Sequence, residues 1–121
     1  MAEYYSSFQR GGTRWLLQRL TAVFLIGVLA FHFLLLHFVN HAADITFFGT
    51  QARMSQVGYF ATMWLFLVAA TFHGVNGVYN ALINMGLEGG RKRAVGGLLA
   101  LAGLLLVLQG TRVALAMTNL V

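Results

Sequence analysis

Three long stretches of this sequence contain no charged residue: residues 20–43, 54–87 and 94–111. A helix needs roughly 20 apolar residues to cross the hydrocarbon core of a bilayer. The third stretch ends at Arg112, whose long side chain can reach the interface and let a helix continue. Charged residues make up only 9% of the chain, too few to cover a water-soluble domain. We therefore predict an all-α integral membrane protein with transmembrane helices at about 16–40, 56–86 and 94–118.

The basic residues are distributed unevenly around these stretches. Six of the eight flank the start of the first span or separate the second from the third: Arg10, Arg14, Arg19, Arg91, Lys92 and Arg93. Cytoplasmic loops carry the excess of Lys and Arg in membrane proteins. We therefore expect residues 1–15 to form a cytoplasmic N-terminal segment and the C-terminus to lie outside. The net charge of +5 follows from the same rule, so we predict no nucleic-acid partner.

The composition excludes several kinds of catalytic site. The chain has no cysteine, which removes thiolate nucleophiles and iron–sulfur ligation from this chain. Its three acidic residues, Glu3, Asp44 and Glu88, are too scattered for paired-carboxylate chemistry. We therefore assign no catalytic residue to this chain and expect any catalysis to use a bound cofactor or another subunit.

Polar and small side chains fall on one face of each predicted span at helical spacing. On the second span this face carries Thr62, His73, Asn76, Gly77, Asn80 and Asn84. On the first span it carries Arg14, Gln18, Thr21 and His32. On the third span it is a seam of small residues suited to close helix contact: Gly96, Ala100, Gly103, Gly110 and Ala114. Because three helices bury little surface among themselves, we expect the polar faces to meet other chains.

His32 and His73 lie at different depths. Counted from the outer ends of their spans, they are about 8 and 17 residues deep, a height difference of roughly 13 Å at helical rise. A membrane haem takes two axial imidazoles from helices at similar depth. Two depths therefore suggest two haems, each completed by a histidine of another subunit; alternatively, each histidine hydrogen-bonds across helices. His37 and His41, near the outer end of the first span, are predicted to be hydrated and remain backup ligands.

Five further residues are candidates for the surroundings of a haem or a quinone. Arg14 and Arg19 lie near the cytoplasmic boundary on different helix faces, where they either bind lipid head groups or pair with haem propionates or a quinone oxygen. Thr21 and Asn76 share faces with the histidines, where they can orient an imidazole or bind a propionate. Gly77 flanks His73 by one turn and leaves room for a flat group.

Two segments resemble a known family. LQRLTAVFLIGVLAFH at residues 17–32 and FHGVNGVYNALINMG at residues 72–86, followed by GRKR and a third span, resemble the second half of the di-haem cytochrome b anchors of succinate:quinone oxidoreductases. Some members of this family divide the anchor between two three-helix chains, called C and D, and a three-helix chain with this pattern is similar to the D-type anchor. The resemblance implies that these helices form half of a haem-binding bundle with a sister C-type anchor, in the inner membrane of a prokaryotic cell.

The resemblance also implies cofactors, partners and ligands. His32 would bind the distal haem b and His73 the proximal one. FAD and iron–sulfur clusters would belong to two further partners, a flavoprotein subunit and an iron–sulfur subunit, and electrons from succinate would pass through the haems to quinone. Asn84 and Met85 stand where single-haem ubiquinone-type relatives carry an Asp-Tyr pair, which favours the di-haem branch and menaquinone. Such a complex serves the tricarboxylic acid cycle and aerobic electron transport.

Three alternatives remain at this point. The same anchor could serve a quinol:fumarate reductase, which runs the reaction in reverse. A haem-free membrane scaffold would use His32 and His73 only as hydrogen-bonding residues. A small transporter component could line a substrate path with its polar stripe, although the absence of carboxylates within the predicted spans disfavours a proton-coupled one.

Overall fold

The computed structural model describes the backbone of residues 2–118 and the side chains of residues 11–118. This part contains four α-helices: α1 (Ala2–Leu34), α2 (Phe47–Met54), α3 (Val57–Asn84) and α4 (Gly89–Ala116). A π-helical turn, Leu35–Val39, continues α1, and a 3₁₀ turn, Ala42–Asp44, precedes α2. Three segments are long and apolar enough to cross a membrane: Gly11–Val39, Val57–Asn84 and Gly89–Ala116.

The predicted all-α membrane architecture with three long apolar helices is confirmed. The positions at which each helix enters and leaves the bilayer stay predictions. The side chains of residues 1–10, which belong to the predicted cytoplasmic segment 1–15, lie outside the described residues.

Helix α3 is the centre of the fold, because α1, α2 and α4 all pack against it. The long helices α1 and α4 both run antiparallel to α3. The start of α1, the end of α3 and the start of α4 therefore lie together at one end of the bundle. We call it the basic end, because it carries five of the basic residues: Arg14, Arg19, Arg91, Lys92 and Arg93.

The turn between α3 and α4 is tight and is built on a glycine. Gly86 has φ +93°, a conformation that residues with a side chain rarely adopt. Its N–H donates to the carbonyl of Ile83 (2.9 Å), and the N–H of Leu87 donates to the carbonyl of Leu82 (3.1 Å). This pair of hydrogen bonds is the Schellman motif, which satisfies the last carbonyls of a helix. It lets α4 begin at Gly89 and run back along α3.

Close packing between α3 and α4 depends on glycines seven residues apart. Gly96, Gly103 and Gly110 face α3. A β-carbon at Gly103 would lie 3.1 Å from Val75 Cγ2, and one at Gly110 would lie 2.6 Å from Leu67 Cδ2. The predicted small-residue seam is thus confirmed at these three positions.

Most apolar side chains of the described residues face outward. Val28 and Met54 are the buried apolar residues in this part of the chain. Six of the eight leucines of α4 are more than half exposed, with values between 53% and 66%: Leu98, Leu101, Leu104, Leu105, Leu106 and Leu108. Such a surface is stable against lipid or against the apolar faces of other chains.

Replacing Gly103 by Leu tests the seam. The new side chain has to displace Val75 and Thr71, so we expect the free energy of unfolding of the full chain in detergent to fall by about 1–3 kcal/mol. Thermal unfolding, followed as the loss of helical circular dichroism, measures this fall in stability. The control is Gly97→Leu, because Gly97 is exposed and has no neighbouring atom within 4 Å of its β-carbon position. Equal destabilisation by both variants would contradict the seam.

Candidate functional site

Four polar side chains join α1 to α3 and form what we call the polar cluster: Gln18, Thr21, His73 and Asn76. The Asn76 amide donates to Gln18 Oε1 (2.9 Å), and the Gln18 amide donates to the backbone carbonyl of His73 (3.2 Å). The hydroxyl of Thr21 lies 3.1 Å from Nδ1 of His73. In the hydrocarbon region such groups need partners within the protein, so the cluster holds the two helices together.

The hydroxyl proton of Thr21 identifies the tautomer of His73. Thr21 Oγ1 donates to the carbonyl of Leu17 (2.7 Å) and also lies 3.1 Å from the carbonyl of Gln18, both within its own helix. Since this proton is used within α1, the oxygen accepts at His73, and Nδ1 carries the ring hydrogen. In a neutral imidazole the lone pair is then on Nε2. The polar atom facing Nε2 is the amide nitrogen of Gln18 at 3.5 Å, too far for a strong hydrogen bond.

Burial in the polar cluster is greatest at Asn76, which is 7% exposed, while Gln18, Thr21 and His73 are more exposed to the surroundings of the chain. Asn76 follows His73 by three residues, and Thr21 follows Gln18 by three, so each pair shares a helix face. Gly77 completes the arrangement, because a β-carbon there would lie 3.5 Å from the Gln18 amide nitrogen. The space predicted beside His73 is therefore taken by Gln18 within this chain.

His32 lies well away from the polar cluster. Thr21 is level with His73, and His32 follows it by eleven residues, which is about 17 Å along α1. This separation exceeds the roughly 13 Å inferred from the sequence, because that value assumed that both spans end at the same height. His32 is half-buried, and its Nδ1 is buried without a hydrogen-bond partner among the described residues.

The two candidate arginines have different surroundings. Both side chains are exposed. The Arg19 guanidinium lies over the ring of Trp15, 4.7 Å from its centroid. Arg14 instead lies at a cavity between α1, α3 and α4.

The backup histidines also lie outside the polar cluster. His37 is exposed, stacks on the ring of Phe33 with centroids 4.5 Å apart, and donates from Nδ1 to the carbonyl of Phe33 (3.1 Å). His41 is exposed in the turn after α1, with φ +48°.

The structure thus brings together Thr21, His73, Asn76 and Gly77 and leaves His32 and Arg19 apart from them. Arg14 meets this group only at the cavity that Asn76 also lines. Gln18 was not predicted as a site residue, although it contacts both His73 and Asn76. Its spacing from Arg14 and Thr21 placed it on the correct face of α1, but nothing in the sequence showed that this face meets α3.

The donor set limits what the site can bind. Within the described residues no three His, Asp or Glu side chains converge to hold a metal ion. An ion bound by His73 must therefore bring further ligands with it, as the iron of a porphyrin does, or take them from another chain.

Comparison with known proteins gives one family. A model of the succinate dehydrogenase/fumarate reductase transmembrane subunit matches residues 2–111. A succinate dehydrogenase hydrophobic membrane anchor subunit of Archaeoglobus fulgidus is 31% identical over 96 residues, which cover 79% of this chain and 81% of the relative. No solved structure matches the chain at a significant level.

Replacing Gln18 by Leu tests the polar cluster. The substitution leaves the buried Asn76 amide without its acceptor, so we expect the free energy of unfolding of the full chain in detergent to fall by about 1–2 kcal/mol. The matched control is Gln109→Leu, since Gln109 is exposed on α4. Circular dichroism during thermal unfolding compares them, and a Gln18 variant as stable as the control would show that the hydrogen bonds contribute nothing.

Proposed function

Because this chain belongs to the succinate dehydrogenase/fumarate reductase transmembrane subunit family, we propose that it is a D-type anchor, which binds haem b and connects an iron–sulfur subunit to quinone. Membership of the family makes it a multi-pass membrane component of an oxidoreductase complex. The isolated chain carries out no catalysis in this proposal. The flavoprotein subunit, with FAD, oxidises succinate, and the electrons reach the anchor through the iron–sulfur subunit.

One observation carries the haem proposal: the hydrogen bond between Nδ1 of His73 and Thr21 Oγ1. Histidines that bind a metal usually donate their other ring N–H to an oxygen, which fixes the tautomer and orients the ring. Thr21 has this relation to His73, and its own proton is used by α1. The residues therefore fit an axial ligand that coordinates iron through Nε2.

The side chain of Gln18 has to move before iron can bind Nε2 of His73. Its amide nitrogen faces Nε2 at 3.5 Å and takes the space from which an iron would approach. Glutamine has a flexible side chain, and rotation moves its amide away without shifting the backbone. The rotation breaks the hydrogen bonds of Gln18 to Asn76 and to the His73 carbonyl, so haem binding has to offset their loss. The hydrogen bond from Thr21 to α1 is independent of that rotation, so the tautomer of His73 is kept.

His32 is proposed as the ligand of the second haem. Its Nδ1 is enclosed by this chain, which leaves Nε2 as the nitrogen able to coordinate iron. No described residue gives Nδ1 a partner as Thr21 does for His73. The separation of about 17 Å along α1 is too great for the two histidines to share one iron.

When bound, haem b held by two imidazoles would supply a one-electron carrier. This chain would contribute one imidazole to each haem, and Thr21 would orient the imidazole of His73. The second imidazole would come from the sister C-type anchor. We further propose menaquinone as the quinone and the inner membrane of a prokaryotic cell as the location, which the family resemblance implies. The distribution of Lys and Arg favours a cytoplasmic N-terminus.

A haem-free scaffold is the second candidate, and the polar cluster itself supports it. His73 already has a hydrogen-bond partner within the chain, as expected of a residue that only links two helices. The buried, unpartnered Nδ1 of His32 does not separate the two candidates, because iron at Nε2 would leave Nδ1 without a partner as well. Haem content separates the two proposals.

Replacing each histidine by alanine in the purified complex is the first test. We expect His73→Ala and His32→Ala each to remove one of two haems, measured as haem b absorbance and as the loss of a different step in a redox titration. His37→Ala is the control and should keep both, because His37 is exposed and stacked on Phe33. Full haem retention in both variants would exclude the ligand roles.

Replacing Thr21 by Val tests its role as a positioning residue. Valine has a similar shape and no acceptor, so Nδ1–H of His73 loses its hydrogen bond and the imidazole becomes a weaker donor to ferric iron. We expect the midpoint potential of one haem to rise by tens of millivolts, where about 59 mV is a tenfold change in a one-electron equilibrium. Thr21→Ser keeps the oxygen and should keep the potential. Equal potentials in all three proteins would contradict this role.

A further inference from the structure

A cavity of about 260 Å³ opens near the basic end, in the groove between α1 and α4 with α3 as its floor. Phe72, Val75 and Leu99 give it apolar walls. Gly96 and Ala100 of α4 keep it open, because neither has a side chain long enough to reach across. The polar cluster borders it only through Asn76, whose amide is already bonded to Gln18.

Two side chains give this apolar groove a polar mouth. Arg14 brings a guanidinium and Tyr79 a phenol, and none of the eight lining residues is acidic. Arg14 precedes the predicted first span, which begins at about residue 16, so we expect it near the membrane boundary. Arg91, Lys92 and Arg93, all exposed near the start of α4, add positive charge at the same end.

The lining of the groove restricts its occupant. Its walls are largely apolar, and Arg14 is the one charged residue among those that line it. A single hydrocarbon chain can lie along such walls. A ligand that combines such a chain with an anionic group satisfies both the apolar walls and the arginine at the mouth.

We propose that this groove is a binding site for an anionic phospholipid, with one acyl chain between α1 and α4 and the phosphate on Arg14 and Tyr79. A guanidinium binds a phosphate through two parallel hydrogen bonds, and the low polarity of the groove strengthens them. The proposal does not depend on haem binding, because it uses neither histidine.

The test is a lipid titration of the full chain in detergent, with the first bound lipid counted by native mass spectrometry. The probes are phosphatidylglycerol, which is anionic, and phosphatidylcholine, which is not. We expect phosphatidylglycerol to bind more tightly, and Arg14→Gln to weaken it about tenfold. Arg19→Gln is the matched control, since it removes the same charge five residues away, from an arginine that covers Trp15. It should stay within about twofold of the unmodified chain.

A second pair of variants tests the groove without changing a charge. Ala100→Phe fills the cavity and should weaken phosphatidylglycerol binding about tenfold, whereas Ala102→Phe, on an exposed position that does not line it, should leave binding within about twofold. If Arg14→Gln lowers the amount of folded protein, the Ala100 and Ala102 variants still test the groove. Equal elution volumes and helical circular dichroism identify the variants that remain folded.

Three results would overturn the proposal. Equal weakening by Arg14→Gln and Arg19→Gln would mean diffuse attraction of anionic lipid to the basic end. Displacement of phosphatidylglycerol by excess inorganic phosphate would mean that the site binds the anionic group alone and does not bind the acyl chain. Displacement by a short-chain menaquinone, with the same dependence on Arg14 and Ala100, would assign the groove to quinone.

Discussion

A polar group within hydrocarbon keeps its hydrogen bond only if the protein supplies the partner, and this constraint determines how α1 sits on α3. Gln18 and Thr21 supply partners to Asn76 and His73. Side-chain direction changes by about 100° for each residue of a helix, so a shift of α1 by one residue would break both contacts together. The polar cluster therefore fixes the register of the two helices. The position of α4 on α3 is fixed by the glycines of the seam and by a hydrogen bond from Trp64 Nε1 to Thr111 Oγ1 (2.9 Å).

This register has a consequence for the proposed electron path. It places His73 near the basic end and His32 about 17 Å further along α1, so one rigid helix pair holds two imidazoles at two heights. The described part of the chain buries few apolar side chains of its own. Lipids or other chains must therefore cover its apolar faces, which agrees with a chain of a membrane-anchor family. The anionic-lipid groove proposed at Arg14 would be one such contact.

Much of the fold could be predicted from the sequence. The three long helices follow from the uncharged stretches, and the seam at Gly96, Gly103 and Gly110 follows from seven-residue spacing. Helical periodicity also placed Gln18 and Thr21 on one face. It could not show that this face meets α3, because the contact depends on how the connection through α2 positions the two helices. For the same reason the sequence misjudged the height difference between the histidines. The different environments of Arg14 and Arg19 likewise depend on how the helices pack, which the sequence does not show.

A density map of the purified complex with its partner subunits tests the central claim most directly. The account predicts a porphyrin between subunits with its iron at Nε2 of His73, Thr21 still bonded to Nδ1, and the Gln18 amide rotated away. A map in which Gln18 still faces Nε2, with no macrocycle against the ring, would contradict it and leave His73 as a link between two helices.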